Sequence, residues 1–203
     1  LFDCGDRIYH QIRKSGNDPT TLDAVFITHN HGAHTAGIPS LVMGLNIRKR
    51  ERPLNLYGPD NFPLHELFKL YNPNFPLSYD ANFQKIKAGD VIKVRGIEVK
   101  AFPARHGLPA FMYSIKVPGV KAFYTGDTVP FQGYMEGAQG SDLLIHESTY
   151  LHRDEVLRRD FNHSSAREAG QAATAARAKK LALVHFSAHM SGSIEDAVEE
   201  ASK

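Results

Sequence analysis

Val25-Phe26-Ile27-Thr28-His29-Asn30-His31-Gly32-Ala33-His34 is the stretch on which the reading of this chain turns. Its first four residues are β-branched or aromatic, the composition of a short buried strand. Three histidines follow within six positions. Beyond them Ile38, Leu41, Val42 and Leu45 recur at i, i+3, i+4 and i+7, which places them on one face of a helix. Three imidazoles at a strand-to-helix turn can converge on one point, and neutral imidazole is a common nitrogen ligand for zinc. An isolated His-x-His would more often be a pair of surface histidines in a loop.

The rest of the chain repeats the arrangement. Val99 to Phe102 leads to His106, Ala122 to Tyr124 leads to Asp127, Leu143 to Ile145 leads to His146-Glu147, and Leu181 to Val184 leads to His185. Side chains on the ends of several strands of one sheet are how an open α/β scaffold assembles a site. Further strands are expected at Leu54 to Tyr57, Ile97 to Phe102, Phe111 to Val117 and Lys121 to Thr125. Turns at Ala88-Gly89-Asp90 and Val94-Arg95-Gly96 make the strands between Lys85 and Val117 antiparallel. Leu64, Leu67, Phe68 and Tyr71 predict a second helix. Ser165-Ala166-Arg167-Glu168 is a capping box opening an Ala-rich helix to about Lys180, and Ser193 with Asp196 opens another. The sum is a layered α/β domain on a mixed sheet, with Leu1 to Gly5 read as a strand-like run.

Composition narrows the function classes. The chain has 203 residues, 42% hydrophobic and 23% charged, the balance of a globular protein and not of a disordered or fibrous one. With 24 basic and 22 acidic residues, and a pI near 8.6, it lacks the strong basic bias of a dedicated nucleic-acid module. The one dense basic cluster, Arg48-Lys49-Arg50 with Arg52, reads as a solvated helix end. No apolar run is long enough to span a membrane. A single cysteine, Cys4, excludes an internal disulfide framework. Even composition without linkers or repeats predicts one domain over 1–203, and a cytoplasmic location is the default expectation.

His29-x-His31-x-Ala33-His34, His106, Thr125-Gly126-Asp127-Thr128 and His185-Phe186-Ser187 resemble the ordered metal motifs of the metallo-β-lactamase fold. Leu1-Phe2-Asp3-Cys4-Gly5, His146-Glu147-Ser148-Thr149 and His163-Ser164-Ser165 are similar to elements of the tRNase Z branch. The resemblance implies an αββα four-layer sandwich, with a glycine-rich strand expected before Leu1 and a closing strand after Lys203. It implies two zinc ions, Mn2+ being the alternative metal. His29, His31 and His106 would hold the first, His34 and His185 the second, and Asp127 would bridge them. His163 would protonate the leaving group, with Glu147 orienting its ring and His146 behind; Glu147 could instead pair with a nearby Lys or Arg. At Ala33 the family carries an acidic ligand and proton acceptor. Its loss should weaken the second zinc and slow the chemistry, and the integrity of every other ligand position favours a deliberate Asp-to-Ala replacement over natural decay.

Two substrate classes follow. The family's tRNA-gripping arm lies between the positions of His106 and Asp127, where only 20 residues stand here. That absence, with a net charge of +2, favours a small phosphodiester such as a cyclic nucleotide, attacked by a di-zinc hydroxide. The alternative is tRNA 3′-processing endoribonuclease activity on an RNA 3′ region. A non-catalytic metal- or ligand-binding subunit is the third reading, if Ala33 is native. Phe131 or Tyr134 could stack a base, although aromatics in such places are more often core. Tyr71 to Pro76 reads as a lid or dimer contact, and a homodimer is expected by resemblance alone.

Overall fold

The computed structural model describes residues 1–59, 63, 66, 70 and 76–203. The expected helix through Leu64, Leu67, Phe68 and Tyr71 and nearly all of the 71–76 segment lie outside them. The chain divides into two compact units, Leu1–Ile86 and Lys87–Lys203.

The first unit is built on three parallel strands in the order β1 (Ala24–Phe26), β2 (Leu54–Gly58), β3 (Ala81–Lys85). Its helices are α1 (Ile8–Lys14), α2 (Gly32–Thr35) and α3 (Ile38–Ile47). Ile38, Leu41, Val42 and Leu45 are fully buried with Val25, Ile27, Leu54 and Leu56, so the apolar face read from the sequence is the face that packs. Each such side chain contributes about 1.5–3 kcal/mol by leaving water. Cys4 belongs to the same core, and burial pushes its thiol pKa up to about 12, an unreactive thiol.

Leu1 to Gly5 is strand-like only at its start: Phe2 bridges Phe26 in parallel, Phe26 N–H donating to the Leu1 carbonyl and Asp3 N–H to the Phe26 carbonyl, and Asp3, in the left-handed region at φ 54°, ends the extended run. The turn instead locks onto the histidine segment: Cys4 N–H donates to the His34 carbonyl at 2.7 Å and Gly37 N–H to the Cys4 carbonyl at 2.8 Å. The backbones approach so closely that a Cβ on Gly37 would lie 2.0 Å from the Gly5 carbonyl oxygen. The basic cluster also departs from expectation at Arg50, which is buried. Its guanidinium donates to the carbonyls of Thr20, Leu22, Arg52 and Pro53, tying the segment after α3 to the chain ahead of β1.

The second unit carries a six-stranded mixed sheet in sequential order: β4 (Val91–Val94), β5 (Ile97–Pro103), β6 (Phe111–Val117), β7 (Val120–Tyr124), β8 (Leu143–Glu147) and β9 (Leu181–Val184). Pairing is antiparallel from β4 to β7 and parallel from β7 to β9. Arg95 and Gly96 both have positive φ, 47° and 82°, as a two-residue hairpin between β4 and β5 requires. Helices α4 (Met135–Ala138), α5 (Glu155–Phe161), α6 (Ala166–Ala175) and α7 (Ile194–Ala201) complete it. Both expected capping boxes form, at Ser165/Glu168 and Ser193/Asp196. The Ala-rich helix ends at Ala175, short of Lys180, because Arg177 turns left-handed at φ 52° and lets Ala178 N–H close on the Ala173 carbonyl. Phe102, Met112, Phe123, Tyr134, Leu144 and Ala172 form its main core.

Candidate metal centre

In the first unit the histidines leave the end of β1 on a turn held by Asp3. The Asp3 carboxylate accepts from Thr28 N–H at 2.7 Å and from Thr28 Oγ1, and it lies 2.7 Å from His34 Nδ1. A hydroxyl has one proton to give, and Thr28 gives it to Asp3. The 3.0 Å contact between Thr28 Oγ1 and His29 Nδ1 is therefore donated by the ring. His34 likewise donates from Nδ1 to Asp3. Both imidazoles are set in the tautomer that presents Nε2 as a lone pair. His29 Nε2 meets His31 Nδ1 at 2.9 Å. Two ring nitrogens that close need a proton or a cation between them, and these are zinc-type donors.

The second unit repeats the device around Asp127, which follows β7. His185 Nε2 lies 3.3 Å, and His106 Nε2 4.0 Å, from Asp127 Oδ2. His106 Nδ1 faces the Asn162 carbonyl at 3.1 Å, so its proton sits there and Nε2 carries the lone pair. Thr149 Oγ1 donates to Glu147 Oε2 at 2.6 Å, so its 2.9 Å contact with His185 Nδ1 must be donated by the ring. His185 pays for this aim with a left-handed backbone, φ 62°, a conformation costing a non-glycine residue about 1–2 kcal/mol. Glu147, His163 and His185 each bring a ligand atom within 4.8 Å of the others. Such His/Asp clusters are consistent with a zinc site.

Glu147 is fully buried and, among the described residues, pairs with no lysine or arginine. Its carboxylate accepts from Thr128 N–H at 2.7 Å, Thr149 Oγ1 and Ser164 N–H at 3.0 Å, and it lies 3.0 Å from His163 Nδ1. His146 is directed elsewhere. Its Nδ1 meets the Glu147 carbonyl oxygen at 2.7 Å and its Nε2 the Tyr134 hydroxyl at 3.2 Å, and burial lowers its pKa, so it is a neutral core residue. Tyr134 is thus core, whereas Phe131 is half-buried beneath the Arg105 guanidinium, 4.9 Å from its ring centroid. Ala33 is exposed on α2 and supplies no ligand atom. Sequence reasoning missed Asp3, Thr28, Thr149 and the Asn162 carbonyl. Asp3 and Thr149 sat inside quoted motifs, but nothing in spacing tells which histidine each would orient.

Residues 1–186 match the β-lactamase superfamily domain. The ribonuclease Z of Methanothermobacter thermautotrophicus is 31% identical, over 92% of this chain and 76% of its own length, and that of Bacillus licheniformis 29%, over 99% and 82%. Among solved structures, human tRNase Z, short form, superposes with a TM-score of 0.81 at 27% identity, covering 93% of this chain and 82% of its own. The Bacillus subtilis metallo-β-lactamase fold protein YhfI does so with a TM-score of 0.83 at 22% identity, covering 99% and 78%, a likeness of fold. The chain belongs to the metallo-β-lactamase superfamily, and within it to the metal-dependent hydrolases of the ribonuclease Z family. It has that superfamily's fold, with two sheets flanked by helices.

Proposed function

We propose that the chain is a metal-dependent phosphodiesterase acting on an RNA 3′ region, its two units working as one metallo-β-lactamase domain. The observation that carries the hydrolase reading is the proton bookkeeping around Asp127: Asn162 and Thr149 take the Nδ1 protons of His106 and His185, leaving both Nε2 atoms aimed at that carboxylate. By the family's pattern His29, His31, His106 and Asp127 would hold one zinc, and His34, His185 and Asp127 would hold a second. When bound, such metals lower the pKa of a water and neutralise charge on the phosphate oxygens. The chain's own residues do the rest. Asp3, Thr28, Thr149 and Asn162 fix ring orientation. Glu147 holds the Nδ1 side of His163, so Nε2 is the atom that hands a proton to the leaving alkoxide. Ala33 cannot accept a proton, so turnover is slow until a carboxylate is restored.

RNA is preferred over a cyclic nucleotide as substrate. The small-substrate expectation rested on the missing arm and a net charge of +2, and neither measures local charge. The relatives at 29–31% identity over most of both chains carry the name ribonuclease Z, which supports the RNA reading. Kinetics of the Ala33→Asp variant on a tRNA with a 3′ trailer and on 2′,3′- and 3′,5′-cyclic nucleotides test it. Cleavage of the trailer is expected; turnover of the cyclic compounds alone would restore the small-substrate reading.

A further inference from the structure

The register of β4 to β7 sets four residues directly abreast on one face of the sheet: Lys93 opposite Glu98, Glu98 opposite Lys116, and Lys116 opposite Lys121. Lys100, two residues along β5 from Glu98, shares that face and lies over the Phe102 ring at 4.9 Å. Three inter-strand steps make the row about 14 Å long. Lys93 and Lys116 are exposed, Lys100 and Lys121 half-buried. The acids nearby do not balance them. Glu98 reaches Lys116 only at 4.0 Å, and Asp142 is taken up by Lys179 at 2.7 Å.

Lysines directly opposite one another on adjacent strands destabilise a sheet. Lys116 and Lys121 are such a pair, and burial and then Lys116 lower the Lys121 pKa. Lys121 Nζ donates to the Gln139 carbonyl at 2.7 Å, which holds the ammonium without neutralising it, and an anion laid along the row would offset the repulsion. The charges are flexible ammonium groups, and the nearest ring is covered by Lys100, so the surface suits charge neutralisation without base stacking.

We propose that Lys93, Lys100, Lys116 and Lys121 form a docking row for the phosphate backbone of the RNA substrate, outside the metal centre. The assignment rests on the RNA reading above and extends it to how the substrate is gripped. Titration of a tRNA carrying a 3′ trailer onto the unaltered chain and onto K93Q/K116Q/K121Q, over a range of salt, tests it by binding alone. Each lost phosphate contact flattens the log affinity against log salt slope by about 0.7–0.9, so the triple variant should be shallower by about 2–3 and at least ~10-fold weaker at low salt. Hydrolysis of bis(p-nitrophenyl) phosphate should be unchanged, and the melting temperature should shift little, since relief of the like-charge pair offsets loss of the Lys121 bond to the Gln139 carbonyl and of the Lys116–Glu98 pair. Equal affinity and slope in both proteins, or an equal loss of affinity for poly-glutamate, would overturn the docking row while leaving RNA cleavage standing. Failure of the unaltered chain to bind RNA at all would remove the RNA reading and the row with it.

Discussion

At the scale of single residues, the account depends on where protons sit. Glu147 accepts from three donors and faces His163 in a fully buried position. Glu147→Gln would turn an amide NH2 toward one of those donors, so it should cost about 2–3 kcal/mol of stability, read as a lowered melting temperature, besides abolishing turnover in the Ala33→Asp background. A melting temperature unchanged within error would contradict the hydrogen-bond assignment. His146 gives a pH signature. Burial lowers its folded pKa, so on acidification the unfolded chain takes up the proton first. Its contribution is complete above the ordinary histidine value, about 6.5, and fades as pH drops below it toward the lowered folded value. The stability gap between the chain and His146→Gln should therefore narrow from pH 7 to pH 5 in denaturant titrations. A gap that widens would mean His146 is charged in the fold. The histidines and Asp127 proposed as metal donors stood out in the sequence because they follow apolar strands. Their orienting partners did not, since Thr28 and Thr149 act through which acceptor receives one hydroxyl proton, and that depends on three-dimensional contacts.

At the scale of elements, the periodic segments were the readable ones. The Ile38, Leu41, Val42, Leu45 face and both capping boxes hold because burial and capping are local consequences of spacing. Leu1 to Gly5 is extended for only its first residues, because the left-handed Asp3 turns the chain and its carboxylate bonds with Thr28 and His34. Arg50 misled because a charge next to a helix end looks solvated until its four carbonyl acceptors are seen. Gly37→Ala forces a methyl into the Gly5 carbonyl and should destabilise the first unit by about 1–3 kcal/mol, loosening the turn that sets His34. Thermal melts check this, and a neutral effect would show that the Cys4 to Gly37 contact yields easily. Arg50→Leu removes four hydrogen bonds to backbone carbonyls from a buried side chain and should cost about 2 kcal/mol by the same measurement.

At the scale of the whole molecule, fold and family were legible from ordered motifs spread over nearly the full chain, and the comparisons bear both out. Substrate class was not, because net charge averages over surfaces: a total of +2 coexists with four lysines gathered on one sheet face. Among the described residues no helix is long and apolar enough to cross a membrane. The proposed metal centre predicts that the purified chain retains close to one equivalent of zinc even with Ala33, since the proposed donors His29, His31, His106 and Asp127 would supply four ligands without it. Metal analysis below about half an equivalent would count against that set. The most direct test of the central claim is cleavage of a tRNA bearing a 3′ trailer by the Ala33→Asp variant, with and without a chelator. The account predicts scission at the 3′ region that is lost on chelation, restored by zinc or Mn2+, and faster by orders of magnitude than in the Ala33 chain. No cleavage by the metal-loaded variant, or cleavage indifferent to the chelator, would contradict it.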